Sequence, residues 1–532
     1  MQMRVFLLVL LSVSLTIYSQ KSNTPFYHNT LVAANDVSVS VSNIGSGVGN
    51  GWWHVDGGGQ VLYDYGPFFV AKTDTGLVWA QNAWNPGYGA GPLKYNIPIR
   101  LFLTPESDTL RVHKIELSDS LNYNRDLYTW PADHGAPVFS DGTPLCYATE
   151  STWAVYNALD SRKKFSIHPS PQFPLEIHQN IYAYQDNHPD IPIDFLDEIV
   201  FFEYTFINKS NVAFDSAYIG FWTDIDFYYG SSLLEEEFAV DIPNQLGYHW
   251  TNFYNEYEHE DTTKDPAIGF VQLYGPLQTA PGHEAIISGE KRKDKKNLDL
   301  SAFHGVGDDS FPSDHYYSIA QKREHAFLMA QGLDKEGKPV SDPVTGEITT
   351  FPFNSNPLTA GIWPDHNKGF GMGFYLFSGP FTMAPGDSNW AMYAFLPVMD
   401  GGPRKSITEL KRRASELREI DYNNLVIKTP IPTSNKNRKD KSFIPEKFEL
   451  FQNFPNPFNN TTSIRFDLSE KTEVKLEVFS VLGEIIFEEN FNTMNMGKYT
   501  YELSMKNFAA GVYLYRMITT NDVSIKKLVY LK

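Results

Sequence analysis

Asp224 and Asp226 stand one residue apart and follow the run Tyr218 to Phe221. In an extended segment, side chains at i and i+2 point the same way. Two carboxylates placed like that can share a hard cation such as calcium, which takes about six to eight oxygens. Asp241, and after it Glu235 to Glu237, are the acids of the following segment that could complete such a shell. The spacing of an EF-hand loop is absent. The same pair also suits a turn capped by its own acids, or a catalytic carboxylate pair, and all three readings stay open.

Glycoside hydrolysis needs two carboxyl groups about 5–10 Å apart across a sugar cleft. Trp52, Trp53, Trp79, Trp84 and Trp130 could stack on sugar faces or fill a core. No acid pair stands out by spacing, so no catalytic residue is assigned. Three Asp-His dipeptides occur, Asp133-His134, Asp314-His315 and Asp365-His366. Histidine serves as base or zinc ligand, but no H-E-x-x-H or G-x-S-x-G motif accompanies them, and they read as loop elements. The glycines of 45–51 and 57–59 lack the G-K-[ST] ending of a phosphate loop and read as flexible hairpin connections. Cys146, the single cysteine, excludes an internal disulfide and reads as a small buried hydrophobe. No cofactor beyond calcium is expected.

The elements that position these residues are strands. Aromatics are 15% of the 532 residues, enough for sizeable cores. Short runs rich in β-branched and aromatic residues recur from Thr30 to Val398, broken by Gly, Pro, Asn and Asp. They include Leu31–Ser42, Val61–Val70, Leu77–Trp84, Ile97–Leu103, Glu198–Ile207, Ala217–Thr223, Ala267–Leu273, Gly371–Phe377 and Trp390–Leu396. Strands at this spacing without interleaved long helices predict an all-β chain of stacked antiparallel sheets, one large or two fused β-sandwiches. Residues 202–221 and 374–395 each read strand, turn, strand. One helix is predicted from Ser406, with a Ser406–Glu409 capping box and an apolar stripe of Ile407, Leu410, Ala414 and Leu417.

The net charge of −19 argues against a nucleic-acid partner. Glu290 to Lys296 (EKRKDKK) reads as an exposed loop, and the polar, Pro-containing stretch 428–447 as an interdomain linker. At the N-terminus, Arg4, the apolar run Val5 to Ile17, and Ile17 and Ser19 at the −3 and −1 positions before Gln20 predict a cleaved signal peptide over residues 1–19. No later run is apolar enough to span a membrane. The expected order is therefore signal peptide 1–19, secreted β-rich passenger 20–427, linker 428–447 and a terminal domain 448–532.

That terminal domain predicts a small antiparallel sandwich. Ser463–Leu468 and Val474–Phe479 alternate as half-buried strands, Gly483 supplies a turn, and Val512–Ile518 pairs with Ser524–Tyr530. Its motifs run in order: Gln452-Asn453, Pro455-Asn456-Pro457-Phe458, Val478-Phe479 to Gly483-Glu484, Gly511-Val512-Tyr513 with Arg516, and Lys526-Lys527-Leu528. This order resembles the type A C-terminal sorting domain of type IX secretion substrates. Val481, Leu482 and Glu484 depart mildly from the turn usual in that family. The resemblance implies an Ig-like sandwich and export across the outer membrane of a Bacteroidota-type bacterium. It also implies the secretion machinery and its sortase as partners, with release or attachment to surface lipopolysaccharide. Residues 130–137, 221–226 and 378–387 of the passenger resemble segments of large secreted proteins with the same tail, which implies a shared β-rich scaffold, and no activity is carried over from them. The expected role is non-enzymatic, binding a glycan or matrix component or building the envelope. A secreted polysaccharide hydrolase is the alternative.

Overall fold

In the computed structural model, residues 27–47, 51–54, 59–83, 87–94, 97–103, 107–120, 124–160, 172–229, 232–233, 236–251, 266–306, 320–341, 346–354, 356–358, 368–369, 373–431, 448–453, 456–459, 461–481, 483–494, 497–506 and 508–531 are described. The expected signal peptide, Asp314-His315, Asp365-His366 and residues 432–447 of the linker lie outside them. The chain divides into two compact units. One holds residues 1–114, 133–136 and 147–427, the other 115–132, 137–146 and 428–532.

The first unit is built on two antiparallel sheets. Ala302–Val306, Gly373–Met383, Phe214–Asp224, Asp64–Thr73 and Gly76–Gln81 form the smaller one, in that order. The larger runs through Glu150–Asn157, Leu175–Ala183, Val200–Asn208, Ser388–Val398, Ala267–Tyr274, Leu246–Thr251 and Glu236–Asp241. Residues two apart along a strand share a face. Phe202, Tyr204 and Phe206 therefore join one core with Tyr65, Phe69, Ile219 and Phe221 of the other sheet. Phe221 lies at its centre, its ring 4.7 Å from Tyr393 and 4.8 Å from Phe270. The all-β sandwich expectation holds.

The two strand–turn–strand segments are not hairpins. Each crosses from one sheet to the other: Val200–Asn208 to Phe214–Asp224, and Gly373–Met383 to Ser388–Val398. The two crossings pair with each other in both sheets, Phe202 opposite Tyr393 and Phe221 opposite Leu376. Asn208 ties the corners, its amide donating to the carbonyls of Val212 (2.8 Å), Met383 (3.2 Å) and Ala384 (3.2 Å).

Three local expectations are corrected. The predicted strand over 97–103 is a two-residue strand followed by a 3-10 turn, Ile99–Phe102, where buried Arg100 turns in to pair with Asp160. The helix runs Pro403–Glu419 and starts a turn before Ser406, because Pro403 takes the first helical position. The Ser406 hydroxyl accepts from Asp400 N (2.9 Å), and Glu409 pairs with Arg412 and Arg413 instead of closing a capping box. Gly45 and Gly47 are not loose connectors: a Cβ on Gly47 would lie 1.9 Å from the Tyr65 ring, and one on Gly45 2.6 Å from Tyr156.

Helix Pro403–Glu419 lays Ile407, Leu410, Ala414 and Leu417 on the larger sheet. A second helix, Arg323–Ala330, was not anticipated. Its Phe327 and Met329 cover Trp79, Trp222, Tyr375 and Phe377 on the outer face of the smaller sheet. Its eight residues carry too short a stripe to stand out in the sequence.

His249 is fully buried between Phe238 and Phe374. Burial pushes its pKa down to about 3. Glu236 lies 3.6 Å away, but it too is fully buried, and desolvation keeps the imidazole neutral. Below the ordinary histidine pKa of about 6.5 the unfolded chain binds a proton that the folded chain refuses, so stability falls with acidification. From pH 7 to pH 4 this group alone is expected to remove ~3 kcal/mol. Urea unfolding across that range checks it: His249→Phe should flatten the acid limb, and an unchanged slope refutes the assignment.

Candidate functional site

The strand end at Asp224 brings acids together. Asp64 stands directly opposite Asp224 in the ladder, and Asp64, Asp224 and Asp226 are all buried. Trp222 Nε1 (3.1 Å), the Ser46 hydroxyl (3.2 Å) and Tyr65 N (2.9 Å) donate to the Asp64 carboxylate. Tyr63 donates its backbone N–H to the carbonyl of Asp224 (2.9 Å). Partial burial raises the Tyr63 phenol above its usual pKa, and Asp224, Asp226 and Asp64 raise it further. Asp241 does not join them. It sits on the larger sheet, paired with Lys411 of the long helix at 2.8 Å and accepting from Asn244 N. Glu236 and Glu237 are buried earlier in that strand, and Glu235 lies outside the described residues. Among the described residues no group of three or more His, Cys, Asp or Glu is arranged to hold a metal ion.

The tryptophans divide. Trp53 and Trp79 are core residues, Trp130 is half-buried with its indole N–H on the Pro137 carbonyl (2.9 Å), and Trp84 lies outside the described residues. Trp52 is exposed, as is Tyr63. Trp52 lies on the strand Gly51–Trp53 and faces Gln60, and Tyr63 follows directly after the paired strand Gln60–Leu62. Cys146 is buried, as expected.

The outer face of the larger sheet carries two polar centres that sequence reasoning missed. Glu203 accepts from the hydroxyls of Tyr182 (2.7 Å), Tyr422 (2.8 Å) and Ser288 (3.3 Å) and from Trp390 Nε1 (3.3 Å). A lone acid between Phe202 and Tyr204 was the available signal. Nearer the strand start, Glu176 accepts from Leu93 N (2.6 Å), His178 Nε2 (3.0 Å) and Lys209 Nζ (3.2 Å). Burial raises the Glu176 pKa, but His178 and these other donors outweigh it and leave it lowered. Gly135, at φ +95°, packs directly on the His178 ring, where a Cβ would lie 2.4 Å from Cε1. His134 is half-buried beside it, and burial lowers its pKa against the opposing pull of Asp133 and Glu176, with His178 and Lys94 lowering it a little further. Asp133-His134 thus belongs to a 3-10 turn packed on the sheet. These carboxylates already serve as acceptors inside the protein, which is a structural arrangement.

In the second unit, Glu449–Leu450, Thr461–Leu468 and Gly497–Ser504 form one sheet. Phe458–Asn459, Val523–Leu531, Gly511–Thr519, Thr472–Ser480 and Ile485–Met494 form the other. The pairing is antiparallel except for Phe458–Asn459, which runs parallel to Tyr530–Leu531. Tyr513, Tyr515, Met517, Leu528 and Tyr530 fill the core between them. Gly483 sits in the turn at φ +86°. Gln452 and Asn456 cap the open edge of the last strand: both amides donate to the Lys527 carbonyl (2.6 and 3.1 Å), and Asn456 Oδ1 accepts from Val529 N (2.8 Å). The Tyr513 hydroxyl donates to the Ala509 carbonyl (2.7 Å), tying the strand to the residues just before Gly511. Arg516 pairs with Glu477 and lies over the Phe479 ring, and Lys475 closes the row on Glu477 at 2.9 Å. Pro457 follows Asn456 through a cis bond, Lys526 is half-buried, and Pro455 lies outside the described residues.

Residues 452–531 match the family of secretion system C-terminal sorting domains. The match supports a type IX secretion substrate, secreted or on the cell surface. Comparison with curated proteins found no match. Among solved structures, a polysaccharide lyase is 7% identical, with 95% of this chain and 46% of that chain covered at a TM-score of 0.22. A β-glucuronidase from Ruminococcus gnavus is 6% identical, with 58% and 45% covered at a TM-score of 0.12. The chain spans under half the length of these proteins, and similarity this low carries no argument about activity. Among the described residues no helix is long and apolar enough to cross a membrane.

The geometry of the sorting domain gives its motif a physical task. Asn456→Ala strips two hydrogen bonds from the edge of the last strand, and the expected cost is about 1–2 kcal/mol. Limited proteolysis should then cut within Val523–Leu531 several times faster; an unchanged rate would show that the edge needs no cap.

Proposed function

We propose that this protein is exported by type IX secretion to bind a polar glycan or matrix component at the cell envelope, without acting as an enzyme. The observation that carries the binding reading is the hairpin edge at Trp52 and Tyr63. Two exposed rings stand there, Trp52 on the strand Gly51–Trp53 and Tyr63 just beyond its partner strand Gln60–Leu62. A ring face beside a partly exposed hydrogen-bonding group, here Trp52 facing Gln60, is what sugar recognition uses. The non-enzymatic part is supported by Glu203 and Glu176, each engaged by several internal donors.

The test incubates the full chain with a panel of extracellular polysaccharides and follows both retention and product size. It is run with and without calcium, because the calcium expectation at Asp224 and Asp226 rests on the sequence alone. Retention without shortened products is expected, weakened about tenfold by Trp52→Ala, in line with the loss of one stacked ring. Shortened products accumulating with time would replace binding by hydrolysis.

A further inference from the structure

Glu290 to Lys296 is not a loop. It forms the strand Glu290–Asn297, paired with Leu277–Ile287 in a two-stranded ribbon whose basic strand is exposed except at half-buried Lys295 and Asn297. The run has no apolar side chain to collapse it, yet the cross-strand ladder and fixed ends hold it extended. At the tip, Ser288 (φ +47°) and Gly289 (φ +88°) make the turn. The Ser288 hydroxyl donates to Glu203, and Asn423 Nδ2 donates to the Gly289 carbonyl (3.2 Å). At the base, Leu277 exchanges two hydrogen bonds with the Asn389 side chain (2.6 and 3.0 Å). Midway the ribbon bends, with Gly282 N donating to the Asp294 carboxylate (2.9 Å). Asn297 then bonds both N–H and C=O of Ile286.

The ribbon carries five cations, Lys291, Arg292, Lys293, Lys295 and Lys296, against Glu284, Glu290 and Asp294. Lys291 pairs with Glu284 and Arg292 with Glu290, while Asp294 is turned into the bend. Lys293 and Lys296 make no ion pair among the described residues, and Lys293 stands opposite Glu284 in the ladder, whose carboxylate is taken by Lys291. A preorganised basic strip on a chain of net charge −19 is a local reversal of sign. Lys291 and Lys293 stand on alternate residues of the unbroken part of the strand, about 6.6 Å apart, a spacing suited to a polymer of fixed negative charges. The strip offers no apolar anchor for a lipid surface, and the sorting domain directs the chain away from intracellular nucleic acid.

We propose that the ribbon Leu277–Asn297 is a docking strip for a carboxylate-bearing extracellular polysaccharide. This rests on the glycan-binding reading above and names the ligand's charge. The experiment measures binding of the full chain to polygalacturonate, to its uncharged methyl ester, to duplex DNA and to lipopolysaccharide vesicles. It compares wild type with the triple variant Lys291→Gln, Lys293→Gln, Lys296→Gln. All three side chains are exposed, so the variant should melt within a degree or two of wild type. The expected result is tight binding to polygalacturonate alone. That binding should weaken about tenfold or more in the variant, and by a similar factor on raising salt from about 0.05 to 0.5 M. An unchanged variant affinity overturns the strip, as does equal binding of the methyl ester. So does binding of DNA or vesicles as tightly and with the same dependence on the three lysines. Methyl-ester binding that survives in the variant but is lost in Trp52→Ala leaves the glycan reading standing without the strip. No binding to either polysaccharide removes both.

Discussion

Glu203→Ala is expected to destabilise the passenger by about 3–5 kcal/mol, as removal of one member of a buried charged network does. The substitution takes the acceptor from the buried hydroxyls of Tyr182 and Tyr422 and the indole of Trp390, and from the half-buried Ser288 hydroxyl. It also loosens two attachments at once, because Tyr422 opens the short helix Tyr422–Leu425 and Ser288 forms the ribbon tip. Glu203→Gln keeps one acceptor oxygen but turns an amide toward four donors, so it should recover part of the loss and no more. Urea unfolding followed by tryptophan fluorescence measures both, since Trp390 lies in the network. A loss below about 1 kcal/mol would mean that water reaches these donors and that the face is open.

Phe221→Ala should cost a similar ~3–5 kcal/mol for a different reason, the cavity left where two sheets meet. Phe221 touches the rings of Tyr65, Phe202, Tyr204, Phe270 and Tyr393, contributed by both sheets. No neighbour can close the gap without moving a strand. Phe221→Leu, which keeps most of the volume, should cost about half as much or less. Equal losses for Leu and Ala would show that ring geometry, and not volume, holds the sheets together.

The strands of this protein are legible one by one. Val200–Asn208 and Gly511–Thr519 declare themselves by aromatic and β-branched alternation, and the pattern says which side chains share a face. Pairing is another matter. Residues 202–221 read strand, turn, strand and no further, because alternation reports burial of a face without saying which sheet buries it. Only the ladder shows that each half belongs to a different sheet. The basic ribbon failed for the complementary reason: EKRKDKK has no apolar alternation, and its strand is held by cross-strand bonds and by anchors at Glu203, Asn389 and Asn423.

The chain by itself determined that the protein is rich in strands and that its C-terminal domain is a small sandwich. It also determined, through motifs held within about 80 contiguous residues, the sorting tail matched over residues 452–531. These are properties of short segments, where alternation, turn glycines and motif order survive in one dimension. Only the tertiary structure decided that Asp241 stands apart from Asp224 and Asp226, and that Glu203 is a hub. The donors to Glu203 lie 21, 85, 187 and 219 residues away along the chain. Contacts at that separation arise from how sheets stack, and no local spacing encodes them.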